Sequence, residues 1–597
     1  MRYWKFKIYK YIYHILPILF ISILSIGVIS CSSQDMDETY SSLVQENEYL
    51  GHKYYLSLNF SLSNVTRSVT ESDGTTNKEN NGIIKENEIN NVNLFFFDAT
   101  NESSTYGTQI LTFSIASTGI GGTSPNFTVT QQIQISDLKK LLGKTLHIYA
   151  LVNITDYTPA TDNTKTEEQN FLNSTFSVPS DKFGDRTSIS RNFQMDTQGI
   201  ACPMSNYEEF VLDLSDYSAA TDQELISAIN ALFSGTYGSD GKLYKVSNSL
   251  SLERMIARID FTDGSPYASI SSPRSYTYKL NNVKSNITDC NIEGGGVYLK
   301  IHDMQIFNAA QSAYVFRHTA AGNNLSATIG SAEPFSKENS NENYGRPSID
   351  NEEIIDYSYR WIADNDWSYK STTIPSSDVL SSNHFFNQPS LTSDENPKWY
   401  IPKNSGYTND IALNTPETVC SWLTASSSDQ DYLKENSPYA PWFYVMENTL
   451  PSTSKMNKSF ATGVVFHAVL CINSNMLPYT AENNGEVRIT DESTGEYKIL
   501  EWMEANPNDP EDQTGYYYLT YVYLIPHNVG LTSSVDGETG VYSSLNPMGI
   551  GVVRNNIYQL KLTGINNLPS PEEPDNYYLS MEIKVLAWAK RDITVSW

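Results

Sequence analysis

Apolar residues in this chain recur mostly at every second position, in short runs bounded by Gly, Pro, Asn, Asp and Ser. That period places successive side chains on opposite faces of an extended backbone, so the pattern predicts an all-β protein. Representative segments are Val92-Asn-Leu-Phe-Phe-Phe97, Thr145-Leu-His-Ile-Tyr-Ala-Leu-Val152 and Ala257-Arg-Ile-Asp-Phe261. Later ones are Gly463-Val-Val-Phe-His-Ala-Val-Leu470, Tyr516-Tyr-Tyr-Leu-Thr-Tyr-Val-Tyr523 and Ile557-Tyr-Gln-Leu-Lys-Leu562. Helical spacing occurs in two places, Ser136–Leu142 and Asp222–Phe233, each after a residue suited to capping.

Two alternating segments differ from the rest in their surroundings. Tyr55-Leu-Ser-Leu-Asn-Phe-Ser-Leu62 puts Leu56, Leu58, Phe60 and Leu62 on one face, and Arg67 follows five residues later. Arg67 is the only arginine between Arg2 and Arg186, so a basic-residue protease would cut there, before Ser68, and release the strand. The second segment is Leu579-Ser-Met581-Glu-Ile583-Lys-Val585 followed by Ile593-Thr-Val595-Ser-Trp597. Leu579, Met581, Ile583 and Val585 form one alternating set, and Ile593, Val595 and Trp597 another. The expectation is a subunit that loses its first strand and receives one from a neighbour.

The first 31 residues read as a targeting segment. Arg2, Lys5, Lys7 and Lys10 precede an apolar run from Tyr11 to Ile29, and Val28-Ile-Ser-Cys31 reads like a bacterial lipobox with Cys31 as the acylated residue. The acidic stretch Ser32–Glu38 resembles the surface-export signals of Bacteroidetes lipoproteins. No later apolar run is long enough to span a bilayer. The net charge of −28 argues strongly against nucleic acid as a partner and favours solubility. Cys202, Cys290, Cys420 and Cys471 are far apart with no CxxC pair, which signals neither a zinc site nor a dense disulfide framework. Two bridges are open to them in an oxidising compartment, but burial as small hydrophobes fits a chain this long better.

The expected organisation is a signal peptide at 1–31, a propeptide with the removable strand at 32–67, two β-sandwich domains at 68–265 and 266–578, and a donor strand at 579–597. The junction is set by Gly264-Ser-Pro266 and Ser271-Ser-Pro-Arg-Ser275, and a polar stretch at 69–91 reads as a linker. The interval 318–440 is rich in Ser, Asn, Asp and Pro with few clear strands, as functional or disordered loops are.

No catalytic constellation appears. The histidines form no HExxH, and no GxSxG elbow or phosphate-cradling glycine loop is present. His302 and Asp303 are neighbours on a strand and point to opposite faces. Gly294-Gly-Gly296 reads as a tight turn. Asp364-Asn-Asp366 and Asp509-Pro-Glu-Asp512 read as solvated acidic loops, since no full calcium loop surrounds them. Trp361, Trp367, Trp399 and Trp422 read as buried packing, with an aromatic platform for a glycan or host protein as the alternative. No enzyme activity, metal or cofactor is expected.

Several segments, in order, resemble the Bacteroidetes fimbrillin superfamily, the type V pilins. They are Glu88–Asp98 ending in Phe-Asp, Tyr149-Ala-Leu-Val-Asn153, Pro203-Met204, Leu252-Glu-Arg-Met-Ile-Ala-Arg-Ile-Asp260, Tyr444–Asn448, Thr462–Phe466 and Val553-Arg-Asn-Asn-Ile-Tyr558. The resemblance thins between about 290 and 440. It implies two transthyretin-like sandwiches, export as a lipoprotein to the outer membrane and cell surface, cleavage by an arginine-specific protease at Arg67, and filling of the vacated groove by the next subunit's C-terminal strand. The implied partners are other copies of the chain, related fimbrial subunits, that protease, the membrane through the lipid on Cys31 before maturation, and host glycans or proteins. Tip and anchor subunits, and a non-polymerising surface lipoprotein that binds glycans or host proteins, are the alternatives.

Overall fold

The computed structural model describes residues 52–62, 79–80, 86 and, with gaps, 88–177, 201–322 and 440–588, together with short strand pairs between 332 and 410. Within them the chain is all-β, as its period-two pattern predicts. The strands used below are β1 (Lys53–Leu62), β2 (Asn91–Asp98), β3 (Gln109–Ala116), β4 (Ile120–Thr123), β5 (Asn126–Ile133), β6 (Thr145–Val152), β7 (Met204–Asn206), β8 (Phe210–Asp213), β9 (Gly241–Arg254), β10 (Ile256–Asp263), β11 (Val297–Phe307), β12 (Ala440–Met446), β13 (Gly463–Cys471), β14 (Gly515–Leu524), β15 (Asn556–Ile565) and β16 (Leu579–Trp588). The helices are α1 (Ile135–Leu141), α2 (Glu167–Leu172) and α3 (Asp222–Leu232).

Most strands before Met255 build one sheet in the order β3-β2-β6-β7-β9-β1-β5-β4, with β8 paired to β6; Glu79–Asn80 and Thr175–Ser177 pair instead with strands of the second half. Residues after Met255 build others. β16, β15, β10 and β12 are neighbours in that order, and β11, β13 and β14 follow Thr277–Leu280 in a second sheet. β2 and β6 are buried on both faces, which is why they read as continuous apolar runs rather than clean alternation. One covering layer comes from Phe171 of α2, whose ring lies 4.6 Å from Phe95 and 5.2 Å from Phe97. Phe316, from the second half of the chain, packs on Phe171 at 5.2 Å and on Tyr149 at 5.5 Å.

Leu252–Asp260 reads in sequence as a single strand closing the first domain, with the boundary near 265. The pairing divides it at Met255. Arg254 pairs with Met204 in the first sheet, while Ile256 onwards pairs with β12 and, from Arg258, with β15. Buried charge accompanies this crossing. Glu253 contacts Arg317 and lies 3.9 Å from Arg554, and Arg554 reaches Glu447 at 3.1 Å, all four buried. Arg554 also donates to the carbonyls of Val315 at 3.1 Å and Tyr314 at 2.7 Å. Two acids and two bases balance here, which is what burial of charge requires.

α3 starts as its sequence predicts: Thr221 accepts from Glu224 N, and Glu224 reaches back to Thr221 N, a capping box. α1 differs, because its N-cap Gln134 makes no side-chain bond. Packing of Ile135, Leu138 and Leu141 holds it instead. Gly294, Gly295 and Gly296 all have positive φ, consistent with the expected turn.

Candidate functional site

β1 lies inside the first sheet, not at its edge. It runs parallel to β9, from Lys53 opposite Gly241 to Leu62 opposite Leu252, with a register shift between Ser57 and Asn59. It runs antiparallel to β5, from Tyr54 opposite Ile133 to Ser61 opposite Asn126. Taking β1 away would therefore strip hydrogen-bond partners from two strands at once and open a slot between them.

Alternation sets the floor of that slot. Leu56, Leu58, Phe60 and Leu62 all point into the core, and Tyr54 joins them, each at most 5% exposed. Tyr54 meets Phe233 edge-on at 5.2 Å, and Phe60 stacks on Phe127 at 4.8 Å. The other face is polar. Asn59 Nδ2 donates to Val246 O at 3.4 Å and Oδ1 accepts from Thr128 at 3.1 Å, and Thr130 donates to Ser57 at 3.3 Å. The Lys53–Asp240 pair at 3.6 Å is exposed and adds little. Large buried side chains contribute roughly 1.5–3 kcal/mol each, so the five anchors together hold β1 with something on the order of 10 kcal/mol. A whole domain is stable by only about 5–15 kcal/mol, so β1 leaves this sheet only if another strand takes its place.

Downstream of β1 the chain is held by the other sheets. Glu79 and Asn80 pair parallel with Ala587 and Trp588 of β16. Glu86 is buried, accepting from Arg258 Nη1 at 2.9 Å and from the Tyr444 hydroxyl at 2.6 Å. Burial, followed by the charge of Glu86, pushes the Tyr444 phenol far up, so it remains a donor.

β16 pairs antiparallel with β15, from Leu579 opposite Ile565 to Ala587 opposite Asn556. Leu579 and Ile583 are buried and Met581 packs on the same core. In this state the expected donor residues Leu579, Met581, Ile583 and Val585 thus occupy a strand of their own chain's sheet. Cys31, Arg67, Ser68, Ile593, Val595 and Trp597 lie outside the described residues. So do Cys420, Asp364–Asp366, Asp509–Asp512, Trp367, Trp422 and the side chains of Val585, Trp361 and Trp399. Cys202, Cys290 and Cys471 are buried free thiols, and burial pushes the last two up to about 12.

Among the described residues, one side-chain group brings together residue types that can hold a cation: His147 on β6, Glu168 on α2 and Glu209 just before β8. Sequence reasoning missed it, along with α2 itself. The available signal was the Thr166-x-x-Gln169 capping box, which the structure forms.

No family model and no curated protein matches the chain. Its structural neighbours are Bacteroidetes fimbrilins and proteins described as candidate cell adhesion proteins. A fimbrilin of Porphyromonas gingivalis W83 is 12% identical, with 91% of this chain and 100% of that one covered at a TM-score of 0.35. A candidate cell adhesion protein of Parabacteroides distasonis is 12% identical over 90% of this chain and 99% of that one, with a TM-score of 0.35. The tip fimbrial protein of Porphyromonas gingivalis with C-terminal truncation is 9% identical over 90% and 100%, with a TM-score of 0.29.

Proposed function

We propose that the chain is a structural subunit of a surface fimbria that polymerises by exchanging β1 for a strand of a neighbouring copy. The observation that carries this is the position of β1. It is an interior strand, anchored by alternate apolar side chains, whose removal leaves a slot with the same polarity and pocket spacing for a replacement. Arg67 stands five residues beyond Leu62, between β1 and the buried anchor Glu86. Cleavage after Arg67 therefore cuts the covalent link to the removable strand, freeing it for exchange, and leaves Ser68 onwards tied to the second half through Glu79, Asn80 and Glu86.

The replacement is the C-terminal segment. Ile593, Val595 and Trp597 supply alternate anchors, and Leu579, Met581, Ile583 and Val585 extend the set if β16 detaches from β15. Export runs through a lipid on Cys31, which holds the precursor at the outer membrane until cleavage releases it into the fimbrium. A shaft subunit needs both a removable strand and a segment to donate. A tip subunit needs no donor, and an anchor keeps its lipid and β1. The two termini of this chain together favour the shaft. The role is adhesive and non-enzymatic.

The test is digestion of the purified chain with an arginine-specific protease, followed by an unboiled denaturing gel. A ladder is expected from the parent chain, and none from Arg67→Ala or from a chain lacking 579–597. Complete cleavage at Arg67 that yields monomer alone would sink the shaft reading.

A further inference from the structure

Tyr54 is the first of the five inward-facing side chains of β1 and the one among them with a polar atom. Its ring is 2% exposed and meets Phe233 edge-on at 5.2 Å, and Phe233 in turn packs on Tyr244 at 5.9 Å. The hydroxyl is buried with the ring and has no hydrogen-bond partner among the described residues. A phenol in that position gives up its hydrogen bonds to water and receives none from the protein. Leu56, Leu58, Phe60 and Leu62 carry no such cost.

The backbone around Tyr54 is also the less supported half of the strand. Tyr54 pairs with Ile133, the last residue of β5, and with Lys242, the second residue of β9. Register with β9 then breaks, since Ser57 faces Lys245 while Asn59 faces Ser249. That irregularity separates Lys53–Ser57 from Asn59–Leu62. Beyond the first half, β9 has only the three-residue strand Gly235–Tyr237 as its next neighbour, and the sheet ends there among the described residues. Beyond the second half the sheet continues into β7 and β6.

A replacement strand does not share the fault. Of its expected anchors, Leu579, Met581, Ile583, Val585, Ile593 and Val595 have no N–H or O–H in the side chain, and only Trp597 does. Any of those six in the Tyr54 pocket keeps apolar burial there and leaves no polar atom without a partner.

We propose that Tyr54 biases the exchange: its unpaired hydroxyl weakens the hold of β1 on the slot, so that a strand with an apolar side chain at that position displaces it. This rests on the strand-exchange reading and adds to it the residue that makes the resident strand the weaker occupant.

The test is Tyr54→Phe in the full chain, which removes the hydroxyl and keeps the ring against Phe233. Thermal unfolding of the uncleaved chain reads the hydroxyl alone. Mass spectrometry after arginine-specific digestion, following loss of the fragment that ends at Arg67 over time, reads the exchange. The variant is expected to melt a few degrees higher than the parent chain and to release the fragment roughly three- to tenfold more slowly. An unchanged or lower melting temperature would mean that the hydroxyl is already satisfied, and would overturn the proposal. So would a higher melting temperature with an unchanged rate of release. A parent chain that never releases the fragment would overturn the strand-exchange reading and this proposal with it, whereas failure of the variant alone leaves that reading intact.

Discussion

Glu86 and Arg258 stand 172 residues apart in sequence and meet in a buried ion pair, with Arg258 Nη1 donating to both Glu86 carboxylate oxygens at 2.9 Å. The other edge of the guanidinium takes Asp260, Nε to Oδ1 at 2.7 Å and Nη2 to Oδ2 at 2.9 Å. Because Glu86 is pinned to β10 while β1 is pinned in the first sheet, Arg67 falls between two fixed points.

Removing Arg258 leaves two buried carboxylates facing each other. Breaking a buried pair by deleting one partner costs on the order of 3–5 kcal/mol, and Arg258→Ala is expected to fall in that range by urea unfolding. Glu86→Ala should destabilise less, since Asp260 still balances the arginine.

Phe60→Ala should separate the two states of the subunit. In the uncleaved chain it removes the ring stacked on Phe127 and should cost about 3–5 kcal/mol, read as a lowered denaturation midpoint. In the cleaved polymer Phe60 has left, so polymer stability should match that of the parent chain. A polymer weakened to the same extent would mean that β1 stays in place.

His527 and His318 predict the acid side of the stability curve. Burial, first and chiefly, lowers each from its ordinary 6.5 to about 3. The His527 ring is packed in the core, with its Nδ1 2.8 Å from the Tyr558 hydroxyl, which accepts from Val553 N. The unfolded chain binds these protons below pH 6.5 and the folded chain does not. The stabilising contribution is therefore complete above pH 6.5 and falls as pH drops towards 3, at about 1.4 kcal/mol per pH unit for each histidine. Urea midpoints at pH 7 and pH 5 should draw together in His527→Gln relative to the parent chain.

Much of the fold was legible because period-two alternation survives wherever a strand has one wet face. β1 is the clearest case: Leu56, Leu58, Phe60 and Leu62 were read as one face, and all four are buried. Where both faces are covered, the signal fails. Leu252–Asp260 is buried throughout, so nothing in its pattern marked Met255 as the crossing between sheets. α2 has only six residues, too few for a helical period to show. His147, Glu168 and Glu209 come from three elements, so no local spacing could announce them. The sequence left two readings of Leu579–Val585 open, a donated strand or an ordinary strand of its own domain with only the last residues donated, because an alternating strand carries no mark of which chain it will pair with; here it pairs with β15.

The central claim is that β1's slot is the joint between subunits. The direct measurement is native mass spectrometry of the protease-treated chain, following the fragment that ends at Arg67. The account predicts that cleaved monomer keeps the fragment, because its buried anchors are not given up without a substitute, and that one fragment is lost for every joint formed. A polymer that retains one fragment per subunit would place the joint elsewhere and contradict the account.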